Sequence, residues 1–218
     1  MTKEEVLSKI AEDGVVAVIR MTDTAKLAKV IEAVRAGGVK CIEITMTVPG
    51  AVEIIRSLSS SMPADVLIGA GTVTSPDMAE QVIAAGARFV VSPVLNLEVI
   101  ALCRKHGIAC MPGCYTPTEI FTAWNAGADV VKVFPATSLG PKYFKDLSGP
   151  FPKIRLMPTG GVSVDNAGEW IAAGAVAVGI GTDLLNKQFI DQERYAELTA
   201  RAAAMYANVM NAKKGLAS

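Results

Sequence analysis

The sequence predicts a (β/α)8 TIM barrel with an extra N-terminal helix, residues 1–218 forming a single β/α barrel domain. Three observations carry this. First, short runs rich in Val and Ile begin at Val15, Cys41, Asp65, Phe89, Ile108, Val130, Ile154 and Val176. Their near-continuous apolar character is that of parallel strands buried on both faces. Second, helix-patterned stretches such as DTAKLAKVIEAVRAGG and SPDMAEQVIAAGA separate them. Third, the runs start at even spacings of 19 to 26 residues. Eight even units fit a closed barrel. An open doubly wound sheet is the alternative, but no GxGxxG follows the first run.

The elements follow in order. MTKEEVLSKIAEDG reads as a charged opening helix that caps the bottom of the barrel, unlike a signal peptide. The strands are VVAVIR, CIEITM, DVLIGAGT, FVVSP, IACMPG, VVKVFP, IRLMPTGG and VAVGIGT. Helices between them end at Gly37 and Gly38, Gly86, Gly107, Gly127 and Gly174, as helix C-termini favour. GPFPK is a turn before the seventh strand, where Pro150 and Pro152 set backbone shape. The last helix is expected from about Asp183 to Lys214, with Gly215 to Ser218 fraying.

Composition narrows the function. An apolar share of 51% against 19% charged residues supplies ample core and argues against disorder. Twenty-one basic residues balance 21 acidic ones, which argues against a nucleic-acid partner but leaves room for a local anion site. No apolar run reaches the ~18 residues of a membrane span, so no membrane partner is expected. Cys41, Cys103, Cys110 and Cys114 form no CxxC pair, and His106 is the one histidine, so a zinc site and a disulfide scaffold are both disfavoured. A cytoplasmic protein with reduced thiols is expected. His106 suits a helix C-terminus, Cys110 and Cys114 read as packing, and Trp124 and Trp170 read as core or subunit contacts.

In such barrels the chemistry sits at the C-terminal ends of the strands. The polar residues there are Arg20, Glu43, Thr45, Thr47, Thr72, Ser92, Lys132, Thr159 and Thr182. Lys132 stands between Val131 and Val133 on a buried strand, a costly place for an ammonium unless it is paired or deprotonated. Alternation puts Lys132 inside the barrel if the flanking valines face the helices. Glu43 lies in CIEITM in the same way. Each is third in an even-numbered strand, and interior layers draw on alternate strands, so the two should face each other at similar height. A lysine with a free pKa near 10.4 is neutral in only about four in ten thousand molecules at pH 7. Burial lowers that pKa while a nearby carboxylate raises it, and a lowered value is expected. Neutral Lys132 can form a Schiff base with a ketone, the protonated imine acting as an electron sink while Glu43 moves protons. A buried ion pair without chemistry is the alternative, although such pairs rarely add net stability.

An anion seat is expected beside this pair. The seventh strand ends in PTGGVS and the eighth in GIGT, and the loops after those strands commonly hold phosphate. Gly160, Gly161 and Gly181 let backbone N–H groups approach a bound oxygen. Thr182 adds a hydroxyl, and the helix after Ser163 offers its positive end.

The segments GGVKCIEITMTVPGA, IGAGTV, FVVSP, MPGCYTPTE, VVKVFPA, GPFPKIRLMPTGGV and VGIGT together resemble the 2-keto-3-deoxy-6-phosphogluconate (KDPG) and 4-hydroxy-2-oxoglutarate aldolases over nearly the whole chain. The resemblance implies a class I aldolase that needs no metal or cofactor and forms a homotrimer. It matches Lys132 to the Schiff-base lysine and Glu43 to the acid/base. It matches Thr72 to a contact of the pyruvyl part, Pro93 and Phe134 to an apolar wall, and Thr159 to a hydroxyl at the mouth. Gly160, Gly161, Gly181 and Thr182 match the phosphate seat. One position departs. Some members carry an arginine four residues after the glutamate to grip the substrate carboxylate; here it is Thr47, and Arg20 is the nearest replacement.

The substrates expected are a 2-keto acid and an aldehyde, with KDPG favoured by the glycine seat. The 2-keto-3-deoxy-6-phosphogalactonate and 4-hydroxy-2-oxoglutarate reactions stay open. So do a phosphate-binding barrel isomerase or synthase using Lys132 and Glu43 only as acid and base, and a non-catalytic trimeric scaffold or metabolite sensor.

Overall fold

The computed structural model describes residues 1–21 and 23–217. Its strands are β1 (Val15–Ile19), β2 (Cys41–Thr45), β3 (Leu67–Gly71), β4 (Phe89–Val91), β5 (Ala109–Met111), β6 (Gly113–Cys114), β7 (Val131–Val133), β8 (Leu156–Pro158) and β9 (Val178–Ile180). All pairings are parallel, in two sheets ordered β5-β4-β3-β2-β1-β9 and β6-β7-β8. β5 and β6 are one stave interrupted at Pro112, which has no N–H for the ladder. The Pro112 carbonyl still accepts from the Lys132 amide at 3.0 Å. At the other seam, single bridges join Leu156 to Ala175 and Thr159 to Gly179. The two sheets therefore close into one barrel of eight staves.

β1, β2 and β3 are buried at every position, as strands covered on both faces must be. Alternation then sorts the side chains. Val16, Cys41, Leu67, Phe89, Val91, Met111, Val130 and Met157 fill the lower interior, where Val6 and Ile10 of the first helix pack against them. Ile42, Ile44, Val131 and Val133 face outward into the layer between strands and helices.

The helices are α1 (Lys3–Asp13), α2 (Thr24–Ala36), α3 (Ala51–Ser61), α4 (Pro76–Ala84), α5 (Leu97–Lys105), α6 (Pro117–Ala126), α7 (Gly140–Ser148), α8 (Ala167–Ala172), α9 (Lys187–Asp191) and α10 (Tyr195–Ala217). α1 is fixed under the barrel from both ends. Thr2 and Glu5 form a capping box, and Gly14 closes the helix in the left-handed conformation at φ 70°. Lys3 reaches Asp129 at 2.9 Å, and Asp129 accepts the Cys110 amide at 3.0 Å. That link ties the cap to the fifth and sixth staves.

Two expectations need correction. The single helix expected from Asp183 to Lys214 is two helices, α9 and α10. The chain turns between them because Glu193 adopts φ 55° and the Arg194 amide folds back onto the Phe189 carbonyl at 2.8 Å. The expected fray at Gly215 is also absent, since α10 runs through Ala217; Ser218 lies outside the described residues. Among the described residues, no helix is long and apolar enough to cross a membrane.

Candidate active site

Lys132 sits at the centre of β7. Val131 and Val133 occupy the outer layer, so the lysine points into the barrel, where it is 2% exposed. Its ammonium lies 4.9 Å from the centre of the Phe134 ring, on the same face. Glu43, at the centre of β2, is 1% exposed, and both its carboxylate oxygens are buried without a hydrogen-bond partner among the described residues. The two groups do not touch: no nitrogen–oxygen approach within 4.0 Å joins them. They are nevertheless within electrostatic reach. Burial pushes the Glu43 carboxyl above its usual range, against the pull of Lys132 and Arg20. Burial likewise lowers Lys132; the Glu43 charge opposes this and the Arg20 charge adds to it.

Beside the pair opens a cavity of about 530 Å³, walled by Arg20, Phe134, Thr159, Gly160, Gly161, Gly181 and Thr182 together with parts of α2 and α9. Gly160 and Gly161 take φ of 86° and 73°, values that a side chain disfavours. Gly161 also packs on the segment after β7, where an added Cβ would come 2.7 Å from the Thr137 Cα. Gly160, Gly161, Gly181 and Thr182 stand together at one rim of this cavity. The expected helix contribution needs correction. α8 begins only at Ala167, and the Ser163, Val164 and Asn166 amides before it are already used. The Ser163 N–H donates to the Asn166 side chain and the Val164 N–H to Asp183, each at 2.8 Å.

Most charges on the cavity wall are neutralised locally. Lys187 pairs with Asp191, Asp183 pairs with Arg201 at 2.8 Å, and Lys26 donates to the Asp191 carbonyl at 3.1 Å. Asp23 accepts from the first amides of α2. Arg20 is the wall's cation without an ion pair among the described residues, and it is exposed to the cavity. No group of three or more His, Cys, Asp or Glu gathers as a metal-ligand set among the described residues.

A family model described as KDPG and KHG aldolase matches residues 6–201. The chain belongs to this family. It is 38% identical over 197 residues to 2-dehydro-3-deoxy-phosphogluconate aldolase of Treponema pallidum, covering 90% of this chain and 92% of that one. It is 34% identical to the 2-dehydro-3-deoxy-6-phosphogalactonate aldolase of Escherichia coli, covering 81% and 84%. Among solved structures, the KDPG aldolase of Legionella pneumophila with pyruvate captured as a covalent carbinolamine superposes with a TM-score of 0.84. It is 30% identical, with 91% of this chain and 97% of that one covered.

In this family member the remaining sequence-predicted residues fall in two groups. Thr159 stands in the cavity wall with its hydroxyl buried and unpartnered, in space that Gly179 leaves: a Cβ there would lie 2.3 Å from the Thr159 Oγ1. Thr47, Thr72 and Pro93 do not line the cavity, and neither do Lys132 and Glu43, which lie deeper on the inner staves. Thr72 follows β3 with φ 59°, rare for a β-branched residue and a conformation that stores strain. The Thr47 hydroxyl is 2.8 Å from that of Thr45, which in turn donates to the Ile19 carbonyl at 3.3 Å. Position 47 therefore presents a hydroxyl tied to β1 and β2. His106 caps α5 at 3.3 Å from Glu80, at the helix end that leads to the floor. Gly71 and Gly179, which make room for Glu43 and Thr159, carry no signal in the sequence beyond being glycines within strands.

Proposed function

We propose that this aldolase cleaves KDPG reversibly to pyruvate and glyceraldehyde 3-phosphate through an imine on Lys132. One observation carries the reading: a buried, unpaired lysine shares the barrel interior with a buried carboxylate whose oxygens have no protein partner. Structural ion pairs are not built that way, because both members lose hydration without gaining a bond. A reacting pair is, because the lysine must be neutral to attack and the carboxylate must keep lone pairs for protons in transit.

The neutral amine of Lys132 attacks C2 of the keto acid, and the carbinolamine hydroxyl takes up a proton from solvent and leaves as water, giving an iminium; the final hydrolysis returns that proton. Glu43, through a water, takes the proton from the C4 hydroxyl, the C3–C4 bond breaks, and its electrons flow into the iminium as the aldehyde departs. Glu43 returns a proton to C3 of the enamine, and hydrolysis frees pyruvate and the amine. Thr72 holds the pyruvyl part, Pro93 and Phe134 wall the imine, and Thr159 meets the distal hydroxyls. Gly160, Gly161, Gly181 and Thr182 hold the phosphate, with backbone donors and the Thr182 hydroxyl. The shared rim of these four residues supports this seat, and the family relatives named for phosphorylated sugar acids support the substrate class.

The carboxylate that an arginine at position 47 holds in some members of the family is assigned here to Arg20. An Arg20→Ala variant with unchanged pyruvate affinity removes the carboxylate role. The enzyme acts as a homotrimer in the cytoplasm, where its four unpaired, buried cysteines stay reduced.

The test is borohydride reduction in the presence of pyruvate. An adduct on Lys132 is expected; no adduct returns the site to acid–base isomerase chemistry. Kinetics on KDPG, its galactonate epimer and 4-hydroxy-2-oxoglutarate side by side then decide the substrate, a large preference for the phosphorylated compounds being expected.

A further inference from the structure

β3 contributes two inward positions without side chains, Gly69 and Gly71. What occupies the space differs. A Cβ on Gly69 would lie 2.3 Å from the Phe89 ring, so hydrocarbon from the fourth stave fills the lower gap. A Cβ on Gly71 would lie 1.8 Å from Oε1 of Glu43, 2.4 Å from its Cδ and 2.6 Å from its Cγ. The carboxylate of the second stave thus lies on the bare backbone of the third. No other feature of Gly71 demands glycine. Its φ is outside the left-handed region, its carbonyl accepts the Met46 amide at 2.8 Å, and its ladder partner is Thr45. An approach this close admits no methyl without moving the Glu43 side chain to another rotamer.

We propose that Gly71 is a positioning residue for the proton-transfer step: its missing side chain is the cradle that sets where the Glu43 carboxylate stands. No hydrogen bond from another residue holds that carboxylate, so its position depends on packing against β3 and on the charges of Lys132 and Arg20. A displacement of about 1 Å costs on the order of 100-fold in such reactions. The inference rests on the aldolase reading, in which Glu43 also moves the proton at C3 of the enamine.

The experiment separates the two. Wild-type enzyme is first tested for borohydride trapping of pyruvate and for exchange of pyruvate methyl protons in deuterated water. Absence of trapping defeats the aldolase reading itself. Given trapping, Gly71→Ala is expected to trap pyruvate as wild type does, while methyl exchange and kcat fall by about 100-fold or more, with KM little changed. Exchange and kcat within about 3-fold of wild type overturn the proposal, as does a parallel loss of trapping in a folded variant. Gly69→Ala serves as the comparison: it is expected to lower Tm without a selective loss of exchange. If Gly71→Ala does not fold, Gly71→Ala combined with Glu43→Ala is expected to fold, because the atoms in conflict are gone. Failure of that double variant to fold also overturns the proposal.

Discussion

The floor and the mouth of this barrel are built from the same staves by opposite rules. Below, Val16, Leu67, Phe89, Met111 and Met157 meet Val6 and Ile10 of α1, and the nearby polar groups are satisfied: Asp129 holds both the Lys3 ammonium and the Cys110 amide. Above, Glu43 and Thr159 are buried with oxygens that bond to nothing in the chain. A buried polar group without a partner costs about 1–3 kcal/mol. The barrel interior above the floor therefore carries a stability cost at Glu43 and Thr159, and a buried carboxylate left without a partner in a barrel interior is a mark of a site shaped for chemistry. Changes at the mouth should lower activity and spare or raise stability; changes at the floor should do the reverse.

Lys132→Met is the sharpest test of this contrast. Activity should fall by about 10⁴-fold or more and borohydride trapping should vanish. Thermal unfolding should nevertheless shift upward, because a buried ammonium is replaced by hydrocarbon of similar length. A variant that is both inactive and less stable breaks the comparison.

Glu43→Gln should lower kcat by about 10²–10⁴-fold while leaving trapping intact. It also carries a pH signature. The folded protein holds the Glu43 proton more tightly than the unfolded chain. Wild type therefore loses stability relative to the variant as pH rises from the ordinary carboxylate range through the raised folded value. The acid limb of wild-type kcat should sit above the ordinary carboxylate range for the same reason. Paired denaturation curves across that window and a pH–rate profile check both statements.

At the floor, Phe89→Ala should cost about 3–5 kcal/mol in chemical denaturation, since it empties the space beside Gly69, with kcat of the folded fraction within a few-fold of wild type. Smallest is Lys3→Ala, which removes a part-exposed pair and should cost about 1 kcal/mol, with activity unchanged. A large activity loss in either variant would show that the cap and the mouth are coupled.

Much of this was legible in the chain. The eight staves all appear at the expected runs because two-sided burial demands continuous apolar sequence, a local property. Lys132 and Glu43 announced themselves as charges inside such runs, and alternation assigned them to the interior. The α9–α10 break escaped notice because Glu193 takes a left-handed conformation without glycine or proline to mark it. The use of the Val164 amide was equally hidden, since its acceptor, Asp183, lies 19 residues away.

Periodicity and side-chain alternation were enough to say which residues look inward and at which end of a stave they stand, because both are repeats of the backbone itself. They could not say which inward residue meets which. That Glu43 rests on Gly71 follows from the register of neighbouring staves, and that Thr159 uses the space above Gly179 and Lys132 stays beyond 4.0 Å of Glu43 follows from closing the ring. Closure fixes the stagger between staves, and stagger is a relation between distant segments that no local stretch encodes.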